Sequence, residues 1–357
     1  MKEVRSFLEL TGLYLLPAAV LLFALCRRPG GAELPPVMPA AAIEAPLSAP
    51  RMTAVPASDS AESAASRTAD AADESITVRI LTADGIETMT LRDYLLGVVA
   101  AEMPAAFEPE ALKAQAVAAR TDTLYRMLLA HPHADADCCD DPACCKAYSS
   151  PAALRERWGE SCDKWTAKIA EAVAGTDGEI LTYDGEPIFA AFHAASEGAT
   201  ECSENVWLSA LPYLRSVSTM ETAADVPRFR ETVTLTQDGL RERLCARCGD
   251  ISLPDAAADW LTDPVWSESG RLLRVQAGGV TLSGTSLRSL LGLRSTAVTW
   301  RLEGEDFIFE TVGYGHGVGM SQYGAEVMAA SGADHREILL HYYSGAVLSG
   351  LADVFPA

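Results

Sequence analysis

The stretch Leu91–Ala130, LRDYLLGVVAAEMPAAFEPEALKAQAVAARTDTLYRMLLA, reads as two helices with one carboxylate, Glu102, at the joint. Thr90 is placed to cap the first helix, over residues 91–102, with Asp93 at its third position. Leu91, Leu95 and Val98 share one face, with Tyr94 and Ala101 beside it. Pro104 stops the helix, because the residue before a proline is pushed out of helical space. Pro109 suits the first position of the next helix, which runs to about residue 130 and carries Lys113, Gln115 and Arg120. One side of that helix is mostly alanine, so a partner surface approaches it closely.

Upstream, residues 7–26 form an apolar run near membrane-spanning length, interrupted by Glu9 and Pro17 and closed by Arg27 and Arg28. A cleaved signal peptide has a similar apolar centre, but no small-x-small cleavage site follows directly. Residues 1–28 are therefore read as an uncleaved single-pass anchor. Leu25 before Cys26 is too bulky for the usual lipoprotein signal, and charges on both flanks leave the orientation open. Residues 29–75 are rich in Ala, Pro, Ser and acids and hold no aromatic residue, so they cannot bury enough apolar surface to offset their ordering entropy. They read as a flexible linker. The folded part, 76–350, opens with the strand pattern Ile76–Leu81. The net charge of −21 argues against nucleic acid as a partner while leaving room for a local basic groove.

Downstream of the two helices, residues 131–145 hold four cysteines and two histidines. His133, Cys139 and Cys145 are evenly spaced by six; thiolates with imidazole select zinc, and three ligands leave a fourth position open. A disulfide-closed loop is the competing reading for an exported chain. Cys162 with Cys202, and Cys245 with Cys248, are candidate bridges, the last pair alternatively redox-active or metal-binding. A helix over about 163–174 precedes strand runs at 179–183 and 187–192, joined by the hairpin signal Asp184-Gly185. His193 and Ser196 then fall in a loop, where they either line a cleft or sit in a turn without a role. Short strands and a helix near 236–245 follow. The segment GYGHGVGMSQYG, 313–324, has five glycines, which let backbone amides approach a ligand. No Lys-Ser/Thr follows, so a nucleotide loop is a poor reading, whereas His316, Gln322 and Tyr323 offer polar and stacking groups suited to a sugar. Two helices close the chain. Helices mixed with antiparallel strands, without strand–helix alternation, predict an α+β fold around one cleft.

Glu102 is the standout acid. A helix C-terminus disfavours an anion, and Val98, Val99, Met103 and Phe107 desolvate it. Both effects raise its pKa and favour a protonated general acid near neutral pH.

These pieces resemble the stage II sporulation protein D family (SpoIID/LytB domain). The carrying motifs are LRDYLLGVVAAEMP, EALKAQAVAARTDTL, the loop ending CKAYSS, FHAASEGATECSENVW with PYLRSV, and GYGHGVGMSQYGA. The resemblance spans about residues 76–350. It implies a membrane-anchored bacterial protein of endospore engulfment, its catalytic domain outside the cytoplasm at the mother-cell engulfing membrane. It implies a lytic transglycosylase acting on peptidoglycan glycan strands, on glycans stripped of stem peptides by a partner amidase, beside other engulfment membrane proteins. Carried over, Glu102 is the essential acid and Arg120 is implicated in activity. Lys113, Gln115, His193, Ser196, His316, Gln322 and Tyr323 are substrate-binding candidates. Clostridial members bind zinc through a histidine and two cysteines, matched best by His133, Cys139 and Cys145, with a structural role expected. The chain departs from the family where Ala194-Ala195-Ser196 replaces serine-threonine-serine and Glu197 replaces a small residue. Two other functions fit the residues: a non-catalytic glycan-binding enhancer of a cell-wall amidase, and a zinc hydrolase acting on stem peptides.

Overall fold

The computed structural model describes residues 72–207, 209–249 and 251–354. The anchor and the linker up to residue 71 lie outside the described residues. Ala72–Ser75, read above as the end of the linker, is instead a short helix, α1, with Asp73 buried. The sequence signal for it is hidden because one ion pair fixes it. The Arg120 guanidinium, fully buried, clasps the Asp73 carboxylate through Nε (2.7 Å) and Nη2 (2.6 Å). Asp177 accepts the backbone N–H groups of Ala72 and Asp73, satisfying free donors at the helix start.

Strands β1 (Thr77–Thr82) and β2 (Gly85–Thr90) form an antiparallel hairpin, pairing Thr77 with Thr90 and Thr82 with Gly85. Helix α2 covers Leu91–Glu102, capped by the Thr90 hydroxyl, which accepts from Asp93 N–H at 3.1 Å. Helix α3, Pro109–Tyr125, continues as a π-helical turn, Arg126–Ala130, ended by His131 at φ 44°. The metal-loop segment Cys138–Cys139 is β3, parallel to β1. Then come α4 (Pro151–Trp158), α5 (Cys162–Ala174), β4 (Glu179–Tyr183) and β5 (Glu186–Pro187). Asp184 and Gly185 both have positive φ at the β4–β5 turn, as the hairpin signal predicts. The expected strand over 187–192 is broken, with Pro187 ending β5 and Phe192 opening β6, Phe192–His193. A short helix α6, Glu204–Trp207, follows.

The chain then enters a second lobe. It contains β7 (Arg230–Thr236), α7 (Gln237–Cys248), β8 (Leu261–Trp266), β9 (Leu272–Ala277), β10 (Val280–Ser283), α8 (Gly284–Leu291), β11 (Val298–Glu303) and β12 (Asp306–Val312). Two antiparallel sheets, ordered β10-β9-β8 and β11-β12-β7, close over their own apolar core around Trp260, Val275 and Phe309. The chain returns through the glycine-rich segment to β13 (Met320–Ser321), α9 (Gln322–Ala330), α10 (His335–Tyr342), β14 (Val347–Gly350) and α11 (Leu351–Val354). The α+β class holds; among the strands of the described residues, β1–β3 and β6–β13 pair in parallel.

The main lobe is organised around α3, which packs against α2, α5, α9, α10 and β4. Its alanines 111, 114, 116, 118 and 119 are all fully buried, so five neighbours approach one small-residue cylinder. Gly97 does the same for α2: a Cβ there would lie 2.3 Å from the Tyr148 ring, which stacks on Tyr94 with centroids 5.8 Å apart. Among the described residues, all eight cysteines are free thiols, so neither candidate bridge forms.

Gly97→Ala is expected to cost about 1–3 kcal/mol by overpacking, read as a lower denaturation midpoint. An unchanged midpoint would mean that Tyr148 moves aside at no cost.

Candidate active site and metal centre

Glu102 ends α2 half-buried, with Val98, Val99, Met103 and Phe107 buried around it. Its Oε1 accepts the Ala147 backbone N–H at 2.8 Å. Gln322 Nε2 reaches its Oε2 at 3.4 Å and Gln115 Oε1 at 3.3 Å. Burial raises the Glu102 carboxyl above its ordinary 4.5, while the Ala147 N–H, Gln322 and Lys146 pull it back. The group is thus biased toward the protonated acid, yet two N–H donors already face the anion that proton loss would leave. Tyr323, next to Gln322, packs edge-on against Phe107 with centroids 5.0 Å apart. Of the sequence candidates, Gln115 and Gln322 join Glu102 directly, and Tyr323 lies on the adjoining wall.

The structure places the others elsewhere. Two residues along a helix turn about 200°, so Lys113 projects away from the face that Gln115 presents to Gln322. It is held by Glu110 at 2.6 Å, and Glu110 is bonded in turn by His335. Arg120, about 140° round from Gln115 on the same count, is spent on Asp73, on the Glu179 carbonyl (3.0 Å) and on the Val173 carbonyl (3.3 Å). It holds α1 and β4 to α3 and is fully buried.

His193 and Ser196 are 4% and 0% exposed, so they do not line a cleft. Burial, then His316 and Arg271, holds the His193 imidazole well below its usual value and therefore neutral. One tautomer satisfies the contacts: Nδ1–H donates to the Val318 carbonyl (3.2 Å), and Nε2 accepts the Ser196 hydroxyl (2.5 Å). Ser196 Oγ then accepts Arg271 Nη2 at 2.7 Å. Behind this chain, the Glu221 carboxylate accepts Ser196 N–H and the hydroxyl of Ser321, the N-cap of α9. The network therefore fixes the helix start that aims Gln322 at Glu102. His316 is half-buried against Trp207 (4.9 Å) and is pushed down to about 3 by burial and by Arg288 and Arg271.

The glycines of 313–319 admit the protein's own chain, in place of the ligand expected from the sequence. A Cβ at Gly315 would lie 2.8 Å from His193 Cβ, one at Gly317 2.4 Å from the Arg271 guanidinium, and one at Gly319 2.0 Å from the Ala191 carbonyl.

The cysteine-rich loop brings His133, Cys139, Cys144 and Cys145 together, with all ligand atoms within 4.8 Å of one another. His133 Nε2 is 3.5 Å from Cys145 Sγ and 3.8 Å from Cys144 Sγ, and the two sulfurs are 3.9 Å apart. These separations match the edges of a tetrahedron with metal–sulfur bonds of about 2.3 Å, which are about 3.8 Å. They are far beyond a disulfide bond of about 2.05 Å. Hydrogen bonds from Cys138, Cys139 and Cys144 lower the Cys145 thiol toward thiolate, with Arg126 adding to the effect. The residues thus fit a metal ion. Cys144 is the candidate the even spacing missed, and with it four donors converge where three were expected. Its signal in the sequence was the adjacent pair Cys144-Cys145. Cys138 instead faces Tyr94 and Cys145.

The loop leads straight from the His/Cys cluster to Glu102. Cys145 is followed by Lys146, whose Nζ meets Asp122 at 2.5 Å, and by Ala147, whose N–H holds Glu102. Burial would raise Asp122, but Arg126 (2.8 Å) and Lys146 outweigh it and keep the carboxylate charged. Asp122 and Lys146 escaped the sequence reading because each looks like a solvated helix or loop charge.

A family model described as "Stage II sporulation protein" matches residues 81–183. The stage II sporulation protein D of Bacillus subtilis (strain 168) is 38% identical over 303 residues, 84% of each chain. That of Bacillus amyloliquefaciens is 37% identical over 268 residues, 74% of this chain and 75% of its own. A Bacillus subtilis protein named "Amidase enhancer" is 28% identical over 313 residues, 71% of this chain but 40% of its own.

Because folding raises the Glu102 pKa, the folded state holds this proton more tightly than the unfolded chain. Its burial therefore costs stability increasingly as pH rises from about 4.5 through the folded pKa. Glu102→Gln is expected to raise the thermal midpoint at pH 7, and the gain should vanish below pH 4. A variant no more stable than the parent at either pH would contradict the raised pKa.

Proposed function

Because this chain belongs to the stage II sporulation protein D family, we propose that it is a lytic transglycosylase of cell-wall glycan with Glu102 as its acid and base. The observation that carries this reading is a single carboxyl group, raised by burial, between the Ala147 N–H and the Gln322 amide. Protonated Glu102 gives its proton to the glycosidic oxygen between N-acetylmuramic acid and N-acetylglucosamine as that C–O bond breaks. The carboxylate left behind is held by the two N–H donors. It then takes the proton of the muramic 6-hydroxyl, whose oxygen bonds to the anomeric carbon and closes a 1,6-anhydro ring. Glu102 ends protonated, no water is consumed, and no second carboxylate is required. Asp122, whose charge reaches Glu102, is committed to Lys146 and Arg126 and cannot serve as a nucleophile.

The metal centre is proposed to take zinc with His133, Cys139, Cys144 and Cys145. Four protein ligands leave no position for a reacting water, which favours a structural role over hydrolysis. The centre's chemistry is to fix the loop that presents Ala147. Residues 1–28 are proposed as an anchor holding the catalytic domain outside the cytoplasm, and a stem-peptide amidase with other engulfment membrane proteins as partners. The likeness to the amidase enhancer supports that setting and also a second reading, in which the protein binds glycan and stimulates the amidase without cleaving.

The parent chain should release anhydro-ended muropeptides from stripped glycan strands, and Glu102→Gln should release none, a loss of at least about a thousandfold for the general acid and base. Reducing ends would mean hydrolysis. Stimulation of an amidase by the inactive variant, with no anhydro product from the parent, would favour the enhancer.

Metal analysis should find one zinc per chain, reduced in Cys144→Ser. Chelation should lower the thermal midpoint together with turnover. Loss of turnover at an unchanged midpoint would favour a zinc hydrolase.

A further inference from the structure

The second lobe carries an aromatic surface that the proposed chemistry does not use. Trp266 of β8 is 42% exposed, and Trp300 of β11 stacks beside it, with centroids 6.1 Å apart and planes 29° from parallel. The Trp266 indole N–H is tied to the Val298 carbonyl at 3.4 Å, which restrains the ring. Leu261, Pro264 and Thr299 complete a hollow of about 350 Å³ around the two rings.

Two further features suggest that this surface is built for use. Asp263 has φ 50° where β8 slips register against β9, although it precedes Pro264, and a residue before proline ordinarily prefers an extended conformation. A bulge with a strained residue re-aims the side chains beside it, and such strain gathers at binding sites. The hollow also shares Thr299 with a second one of about 410 Å³ whose walls include Glu197, Arg230, Gly270 and Glu310. Glu197 belongs to the loop whose Ala194 carbonyl anchors the Tyr323 N–H at 3.0 Å, one residue from Gln322. The two hollows thus meet at Thr299, and the larger is walled in part by the loop that carries Glu197.

We propose that Trp266 and Trp300 form a glycan-binding subsite that stacks a pyranose ring of the strand at a distance from the cleaved bond. A pyranose has apolar C–H faces and a hydroxyl rim, matching an aromatic pair whose hollow meets, at Thr299, a second one with carboxylates and a guanidinium in its walls. The size of the site favours this occupant over a protein. Five lining residues are far short of the roughly 1,000 Å² a specific protein interface buries, whereas pockets of 300–1,000 Å³ suit small ring ligands. The proposal rests on the glycan reading of the Glu102 site, but its readout is binding and not turnover, so the two succeed or fail separately.

The test uses the full-length chain carrying Glu102→Gln, titrated with the tetramer of N-acetylglucosamine and with stripped glycan strands while tryptophan fluorescence is followed. We expect a saturable change, an affinity about tenfold weaker in Trp266→Ala, and recovery in Trp266→Phe, which keeps a ring. Thr299→Arg, an exposed substitution at the junction of the two hollows, should weaken binding without touching either indole. Unchanged affinity in a folded Trp266→Ala or Thr299→Arg chain overturns the subsite, as does equal loss in Trp266→Phe and Trp266→Ala.

Discussion

The 2.8 Å hydrogen bond from the Ala147 backbone N–H to Glu102 ties the molecule together. A carboxyl at the end of an apolar helix is easily made too acidic by solvent or too basic by burial. One fixed amide sets it between those extremes, provided the amide does not move. Three separate restraints keep it in place. The His133–Cys145 cluster closes the loop ahead of it, Lys146 is pinned to Asp122 inside the core, and Tyr148 lies on Gly97 behind it.

The second donor, Gln322, is positioned from the other side of the sequence by a buried chain of hydrogen bonds. Arg271 donates to Ser196, Ser196 to the neutral His193, and His193 to a carbonyl, while Glu221 ties Ser196 to the cap of α9. Buried polar groups of this kind are costly unless each finds a partner. The second lobe shares in the arrangement, because Arg271, Ser267 and Ser269 come from it and the two serines meet Glu201 of the main lobe.

Local signals in the sequence were reliable. The Thr90 cap, the stop at Pro104, the start at Pro109 and the turn at Asp184-Gly185 depend on residues near one another, and each is found where the pattern puts it. The raised pKa of Glu102 was also legible, since its desolvating neighbours come from its own stretch of chain. Partnership across the chain was not. Gln322 lies 220 residues from Glu102, and Asp73 lies 47 from Arg120. An arginine on an alanine-rich helix looks the same in sequence whether it faces a sugar or a buried aspartate. Likewise, glycines that accommodate a ligand cannot be told from glycines that accommodate Arg271. The even six-residue spacing of His133, Cys139 and Cys145 concealed Cys144, because what brings it to the cluster is convergence in space.

The clasp between Asp73 and Arg120 has a mechanical consequence. The polypeptide leading toward the N-terminus departs from α1, and α1 is riveted to the central helix by a two-pronged ion pair and to Asp177 by two backbone donors. Any pull on α1 is passed into α3, the helix around which the main lobe packs. Arg92 of α2 is also paired to Glu74 of α1, so traction from that side is shared by α2 and α3 together, and the spacing between Glu102 on one and Gln115 on the other is kept.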